Sequence, residues 1–170
     1  PASSTSITAD YSVIMVVGID DQGNRYVLEY FRKRVTPLVL ADEIIKMYEK
    51  YKPAKTRIES VGYQEMLREY LRSKKYIPGL EIKETPRTQK SKRLEALQPH
   101  FAQKLMHLKK EHRDLVDELI MYPRGKHDDL LDGLYYASKG TYKPMHTLVD
   151  TQKAQMPDME YNRKVDWMVV

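Results

Sequence analysis

Two adjacent carboxylates, Asp128 and Asp129, lie in the stretch MYPRGKHDDLLDGLYYASKG, directly after His127 and before an apolar repeat of helical spacing. Adjacent carboxylates repel each other, and this repulsion raises the cost of ionising both. A divalent cation would offset that cost. Ligands that offer only oxygen suit Mg²⁺ or Mn²⁺ better than zinc. The pair therefore predicts a metal site at the start of the last helix.

A third carboxylate, Glu59, ends the short predicted strand KTRIES. In open α/β sheets, binding sites form at the carboxyl ends of strands. A glutamate is costly to bury there unless it is paired or binds a cation. If the last helix packs beside this strand, Glu59 converges with Asp128 and Asp129, and three carboxylates in one place are hard to keep ionised without a metal.

Each carboxylate also has a simpler interpretation. Asp128 suits the N-cap of a helix, and an acidic Asp129 favours the helix dipole. Glu59 would equally suit an ion pair with Arg57 or Arg87. Helix-start signals of this kind are common in sequences, so both interpretations stay open for the aspartates.

The elements that must position these residues follow from hydrophobic periodicity and turn residues. Residues 11–20 are nearly all apolar, as in a strand buried on both faces, and DQGN joins them to an antiparallel strand at 25–34. The remaining predicted elements are a helix from a Thr36 cap to about residue 52, a strand at 55–60, a helix after Gly62, a strand at 80–84, a helix over about 92–108, a helix at about 113–121 and the last helix from near Asp128. This order predicts an α/β fold whose mixed sheet has an antiparallel hairpin followed by parallel crossovers.

Size and composition favour one globular domain over residues 1–142, followed by a polar, mobile carboxyl-terminal tail at 143–170. The chain has 170 residues, 41% of them hydrophobic, which is ordinary for a folded domain. It has no cysteine, which excludes disulfides, thiolate zinc sites and a cysteine nucleophile. No apolar run has membrane-spanning length, no signal peptide opens the chain and no P-loop is present.

A basic loop, RTQKSKR at 87–93, precedes the helix of the leucine stripe. As a simple connector it would be solvated. Alternatively, Arg87, Lys90, Lys92 and Arg93 would contact DNA phosphates, because cations at a helix start are well placed to meet a phosphate backbone. The net charge of +5 permits an anionic partner without requiring one.

The ordered set of stretches IESVGYQ, QKSKRLEALQP and YPRGKHDDLLDGL, with ADYSVIMVVGIDDQGNRYVLEYFRKR before them, resembles the nuclease domain of the large terminase subunit of tailed bacteriophages. The resemblance covers residues 9–137. It implies an RNase H-like fold, two Mg²⁺ or Mn²⁺ ions, and an endonuclease that cuts concatemeric double-stranded DNA during packaging. It also implies an upstream ATPase domain, a small terminase subunit and a portal as partners, in the cytoplasm of the infected bacterium.

The family places an acidic residue where Glu59 stands, and its helix-start aspartates match Asp128 and Asp129. Family members usually carry another aspartate at the end of a first strand, in a D-P-A-like stretch, whereas this chain opens with PAS. The resemblance therefore places that strand and its aspartate before Pro1, and Asp10 is the nearest remaining carboxylate. We expect Glu59, Asp128 and Asp129 as metal ligands, Asp10 as a weaker candidate, and His127 to orient a carboxylate or the water.

Two other functions use the same residues. Another RNase H-like nuclease, of the resolvase or transposase type, would use the same carboxylates on branched or end-specific DNA. A non-catalytic DNA-binding module would need the carboxylates only as helix caps. Metal dependence separates this module from both nucleases.

Overall fold

The computed structural model describes residues 11–59, 64–83, 90–139 and 165–169 of the chain. Its strands are β1 (Ser12–Ile19), β2 (Arg25–Lys33), β3 (Lys55–Glu59), β4 (Leu80–Lys83), β5 (Met106–His107) and β6 (Val165–Val169). Its helices are α1 (Pro37–Tyr51), α2 (Gln64–Lys74), α3 (Lys90–Ala102), α4 (Arg113–Met121) and α5 (Asp129–Lys139). The strands form one sheet in the order β4-β3-β6-β1-β2-β5. Within the described ranges, no helix is both long enough and apolar enough to cross a membrane.

The predicted hairpin of β1 and β2 is confirmed, and the two strands pair antiparallel with a register shift between Val16 and Val17. All eight residues of β1 are buried, as the apolar run requires. Asp20 orders the turn. One of its carboxylate oxygens accepts the N–H groups of Gln22 and Asn24. The hydrogen bond from the Asn24 side chain is the largest influence on the Asp20 carboxyl, whose pKa falls to about 2.

The predicted cap of α1 is also confirmed. The Thr36 hydroxyl accepts the N–H of Val39, and Pro37 occupies the first helical position, where its missing N–H costs nothing. Lys52 ends the helix in the left-handed conformation, with its N–H bonded to the carbonyl of Tyr48. This end turns the chain directly into β3.

Helices cover both faces of the sheet, and the alternation along β1 divides the core between them. On one face Val13, Met15 and Val17 pack in the cluster that holds the buried residues of α3, α4 and α5. On the other face Ile14 and Val16 pack with α1, α2 and Ile58 of β3. The predicted α/β class with a mixed sheet flanked by helices is therefore confirmed.

The predicted helix over 92–108 is too long at its carboxyl end, because α3 ends at Ala102. Lys104 adopts a positive φ of 57°, and the chain then forms β5, which pairs parallel to β2. Phe101 and Leu108 pack against the same core, so the spacing of apolar residues continues past the end of the helix. Only Phe101 of the two is helical. A periodic pattern reports the buried face and not the point at which the helix stops.

The structure also differs from the predicted tail. Residues Val165–Val169 form β6, which lies between β1 and β3, antiparallel to the first and parallel to the second. The run VDWMVV that contains it is rich in β-branched and aromatic residues, which favour strands. The prediction of a tail depended on the average composition of residues 143–170, in which the polar residues before this run predominate. Residues 143–164, the part of the predicted tail before that strand, lie outside the described residues.

Candidate active site

Several predicted site residues lie at the edge of the sheet where β3 and β6 end and β1 begins. Strand β6 is parallel to β3 with Val169 beside Ile58, and antiparallel to β1 with Val169 beside Ile14. The carboxyl ends of β3 and β6 therefore meet the amino end of β1. Glu59 is the last residue of β3, so its backbone lies at this edge, as predicted.

Helix α5 brings Asp129 to the same edge. Gly133 lies so close to β1 that a Cβ atom added to it would stand 2.9 Å from Cγ1 of Val13. Asp129 precedes Gly133 by about one helical turn. Its carboxylate lies 3.7 Å from the guanidinium of Arg32, which pairs with Val13 in the β1–β2 register. The glycine thus permits the close packing that sets Asp129 against the sheet edge.

The start of α5 is capped by a residue of another helix. Glu118 of α4 accepts the N–H groups of Leu130 and Leu131 through one carboxylate oxygen, at 2.9 and 3.2 Å. The carbonyl of Asp128 accepts the N–H of Asp132, so Asp128 occupies the N-cap position and Asp129 the first helical position, as predicted. The N–H groups that an N-cap side chain ordinarily binds are those of the second and third helical residues. Because Glu118 binds both, α5 does not depend on the side chain of Asp129 to cap it.

Arg32 links this cap to the candidate metal ligand. One of its terminal nitrogens lies 3.0 Å from Glu118 and the other 3.7 Å from Asp129. Glu118 is only 7% exposed, and burial raises the pKa of its carboxyl even though Arg32 and the two N–H groups oppose this. The Asp129 side chain is 29% exposed. Solvent therefore reaches the aspartate, while the glutamate is enclosed.

His127 lies beside Asp129, as predicted, with its Nδ1 atom 3.9 Å from the carboxylate. Its ring meets the edge of the Tyr11 ring at 5.4 Å between centroids. The guanidinium groups of Arg32 and Arg34 lie 4.4 and 4.7 Å from the centre of the same Tyr11 ring. Arg32 and His127 thus flank the aspartate, and the Tyr11 ring joins them to Arg34, so the surroundings of Asp129 carry cations that suit an anionic substrate.

The other predicted site residues have mixed outcomes. Asp10, Arg87, the side chain of Lys90 and the carboxylate of Glu59 lie outside the described residues. Among the side chains that the structure describes, no group of three or more potential ligands forms a metal cluster. Arg57, one proposed partner of Glu59, lies 3.3 Å from Glu81.

Two cations of the basic loop, Lys92 and Arg93, differ in exposure at the start of α3. Lys92 is exposed, as a phosphate contact requires. Arg93 is 13% exposed, pairs with Asp132 of α5, and lies over the Tyr136 ring at 5.1 Å. This burial disfavours the predicted DNA contact of Arg93 and gives it a role in holding α3 against α5.

Arg32 and Glu118 were missed by the sequence analysis. Glu118 did carry a signal, because it follows the buried Leu115 by three residues and so shares the inner face of the amphipathic α4. A carboxylate on such a face needs a partner. Arg32 carried no comparable signal, since it is one of three cations in the run RKR.

A family model of the terminase RNaseH-like domain matches residues 1–139. The chain belongs to this family. No curated protein and no solved structure matches the chain. Membership in the terminase RNaseH-like family confirms the predicted family and fold and supports a nuclease-type role in a terminase, with DNA and other terminase components as partners in general.

Proposed function

We propose that the domain is a metal-dependent endodeoxyribonuclease in which Glu59, Asp128 and Asp129 bind Mg²⁺ or Mn²⁺, with Asp10 as a further candidate ligand. The observation that carries this proposal is the cap of α5 by Glu118. Because a buried glutamate binds the N–H groups at the helix start, capping does not explain Asp129, which directly follows Asp128 there. Their position at the sheet edge, with Asp129 partly open to solvent, then favours a role in chemistry.

The alternation of residues between the two faces of the sheet supports the proposal that Glu59 and the aspartates of α5 form one site. Ile58 belongs to the core cluster shared with α1 and α2. Successive positions of a strand alternate between faces, so position 59 belongs to the face that α5 covers. The start of α5 and position 59 thus share an edge and a face, as one metal site requires.

The donor set fits hard divalent cations, since it offers carboxylate oxygens and no cysteine. When bound, two such ions would supply an activated water and charge stabilisation for the leaving oxygen of an in-line displacement. Arg32 holds Asp129 in place and screens its charge. His127, close to the same carboxylate, orients it or the attacking water.

DNA would reach this edge along the start of α3. The exposed Lys92 is the described cation that fits a phosphate contact, and Lys90 and Arg87 lie beside it in the sequence. Concatemeric double-stranded DNA is the proposed substrate. An upstream ATPase domain, a small terminase subunit and a portal are the proposed partners, and the cytoplasm of an infected bacterium is the proposed location.

The proposal is tested by Mn²⁺-dependent cleavage of supercoiled plasmid. The protein is used in excess over DNA so that slow cleavage is also detected. Asp129→Asn should abolish cleavage. Asp117→Asn is the matched control, since Asp117 is an exposed carboxylate on α4 and the substitution removes the same charge.

Cleavage that persists in EDTA, or that survives Asp129→Asn at the level of the control, would overturn the proposed metal site. A lower melting temperature with full cutting activity in Asp129→Asn would instead support the capping interpretation. Nicks at branched DNA in preference to linear duplex would favour the resolvase type of nuclease.

A further inference from the structure

A basic cleft lies beside β4, the outermost strand on one side of the sheet, and away from the candidate active site. It has a volume of about 710 Å³ and is lined by the end of α2, the connection to β4 and the first residues of β4. We propose that this cleft binds single-stranded DNA. The proposal rests on the DNA substrate proposed above and adds a second contact to it.

The cations of the cleft are arranged on one side. Arg68 and Arg72 are one helical turn apart on α2, so they share a helix face, and Lys75 follows just beyond the helix. Glu81, which also lines the cleft, lies within 3.0 Å of Lys55 and 3.3 Å of Arg57. Its charge is therefore offset by two cations of β3, and the balance of the cleft is positive.

Lys75 also lies 2.9 Å from Glu49, with side chains 43% and 55% exposed. Exposed ion pairs of this kind contribute little to stability, because solvent screens them. Such a contact exchanges easily for a phosphate. The pair thus holds Lys75 near the cleft without withdrawing it from an anionic ligand.

Tyr76 supplies the feature that points to unpaired bases. Its side chain is 83% exposed and borders the cleft directly after Lys75. Beside it, Ile77 is buried and fixes the connection to the core. An exposed aromatic ring next to cations that track a backbone is the arrangement by which proteins bind single strands, because every unpaired base offers a face for stacking. Bases within a duplex do not.

The floor of the cleft lies directly against β3. Gly79 has a φ of +70°, which favours glycine, and a Cβ atom there would stand 3.0 Å from the carbonyl oxygen of Ala54. The Gly79 carbonyl accepts the N–H of Thr56 at 3.4 Å. The turn into β4 is thus joined to β3 beneath the cleft.

The cleft and the candidate active site lie at opposite ends of β3 and β4. Leu80 lies beside Thr56, and Lys83 beside Glu59, in the parallel register of β3 and β4. The cleft therefore lies at the amino ends of these strands, about 10 Å along the sheet from the edge that holds Glu59.

The test is the binding of a fluorescent thymidine oligonucleotide and of a duplex of equal length, measured by anisotropy in EDTA. EDTA removes metal and cleavage from the measurement. Tyr76→Ala should weaken binding of the single strand about tenfold and leave duplex binding unchanged. Arg72→Gln with Lys75→Gln should reduce the salt slope for the single strand by about 1.4, because each phosphate contact contributes about 0.7.

Lys110→Gln is the matched control, since Lys110 is an exposed cation in the turn before α4, at the far side of the sheet. Equal loss of single-strand and duplex binding in Tyr76→Ala would overturn the proposal, as would single-strand binding equal to that of wild type in both cleft variants. Because Tyr76 is exposed, its loss should not unfold the chain, and circular dichroism checks this. Plasmid cleavage by Asp129→Asn reports on the proposed nuclease separately, so the two proposals can fail independently.

Discussion

Two aspartates of α5, less than one turn apart, each face an arginine in different surroundings. Asp132 pairs with Arg93, and the two side chains are 15% and 13% exposed. Asp129 lies 3.7 Å from Arg32, which is nearer to Glu118 at 3.0 Å, and the Asp129 side chain is 29% exposed. The first pair is enclosed between helices, whereas the second is longer, shared and reached by solvent.

This difference separates structural carboxylates from candidate ligands within the short sequence DDLLD. An enclosed pair that joins α3 to α5 is costly to break, because the partner is left charged and desolvated. An aspartate that shares its arginine can bind another cation without leaving a buried charge alone. We therefore expect substitutions at Asp132, Arg93 and Glu118 to affect stability, and substitution at Asp129 to affect metal binding.

Glu118→Ala should have the largest effect on stability. It removes the acceptor of two helix-start N–H groups and leaves Arg32 without its nearest carboxylate, so the free energy of unfolding should fall by about 3–5 kcal/mol. Chemical denaturation measures the loss. Glu118→Gln keeps an oxygen for the N–H groups and should lose less. Equal losses would show that the charge at this position, and not the cap, stabilises α5.

The same residue should make stability depend on pH. Burial raises the pKa of Glu118 above its ordinary value of 4.5, so the folded state binds a proton more readily than the unfolded state. The stability that this group contributes is fully present below about pH 4.5 and is lost as pH rises through the raised pKa. The advantage of wild type over Glu118→Gln should shrink over that range, and an advantage that grows with pH would contradict the assignment.

Asp132→Ala should destabilise the fold by about 3 kcal/mol, the lower end of the range for a buried pair. Arg93→Met in the same protein should recover part of the loss, because it removes the guanidinium that has lost Asp132. A double-mutant cycle on unfolding free energies measures this coupling. Additive losses would mean that the pair is not enclosed, and Arg93 would then regain its predicted role at phosphates.

Gly133→Ala should cost about 1–3 kcal/mol through overlap with Val13, partly offset by up to about 1 kcal/mol of helix propensity. In a Val13→Ala background the same change should cost less, since the smaller side chain leaves room. Thermal unfolding of the four proteins checks this. An equal cost in both backgrounds would show that α5 does not owe its position to contact with β1.

Lys92→Ala should have the smallest effect on stability, below about 0.5 kcal/mol, because the side chain is exposed. Its effect should instead appear in duplex binding, where the salt slope should fall by about 0.9. Lys110→Ala serves as the control. If both variants keep the wild-type slope, the start of α3 does not touch phosphate.

The sequence predicted elements well where local chemistry decided them. The hairpin at residues 11–34 and the helix capped by Thr36 depend on turn and cap residues that are adjacent in the chain, and both formed as expected. The end of α3 and the strand β6 were not predicted. Both depend on pairing with residues far away in the sequence, which no local pattern reports.

The candidate site follows the same division. The positions of Asp128 and Asp129 at a helix start were predicted from their neighbours. The identity of the cap was not, because Glu118 belongs to another helix and its inner-face position alone does not name its partner. The division of the basic loop into an exposed Lys92 and an enclosed Arg93 likewise required the packing of α3 on α5.

The central claim is that Asp129 binds metal and is not needed to cap α5. Titration of Mn²⁺, followed by calorimetry on wild type, Asp129→Asn and the control Asp117→Asn, tests it most directly. We predict that wild type and the control bind Mn²⁺ alike, and that Asp129→Asn binds it at least tenfold more weakly while it loses no more than about 1 kcal/mol of stability. Wild-type affinity in Asp129→Asn, or weaker binding only in proportion to unfolding, would contradict the account.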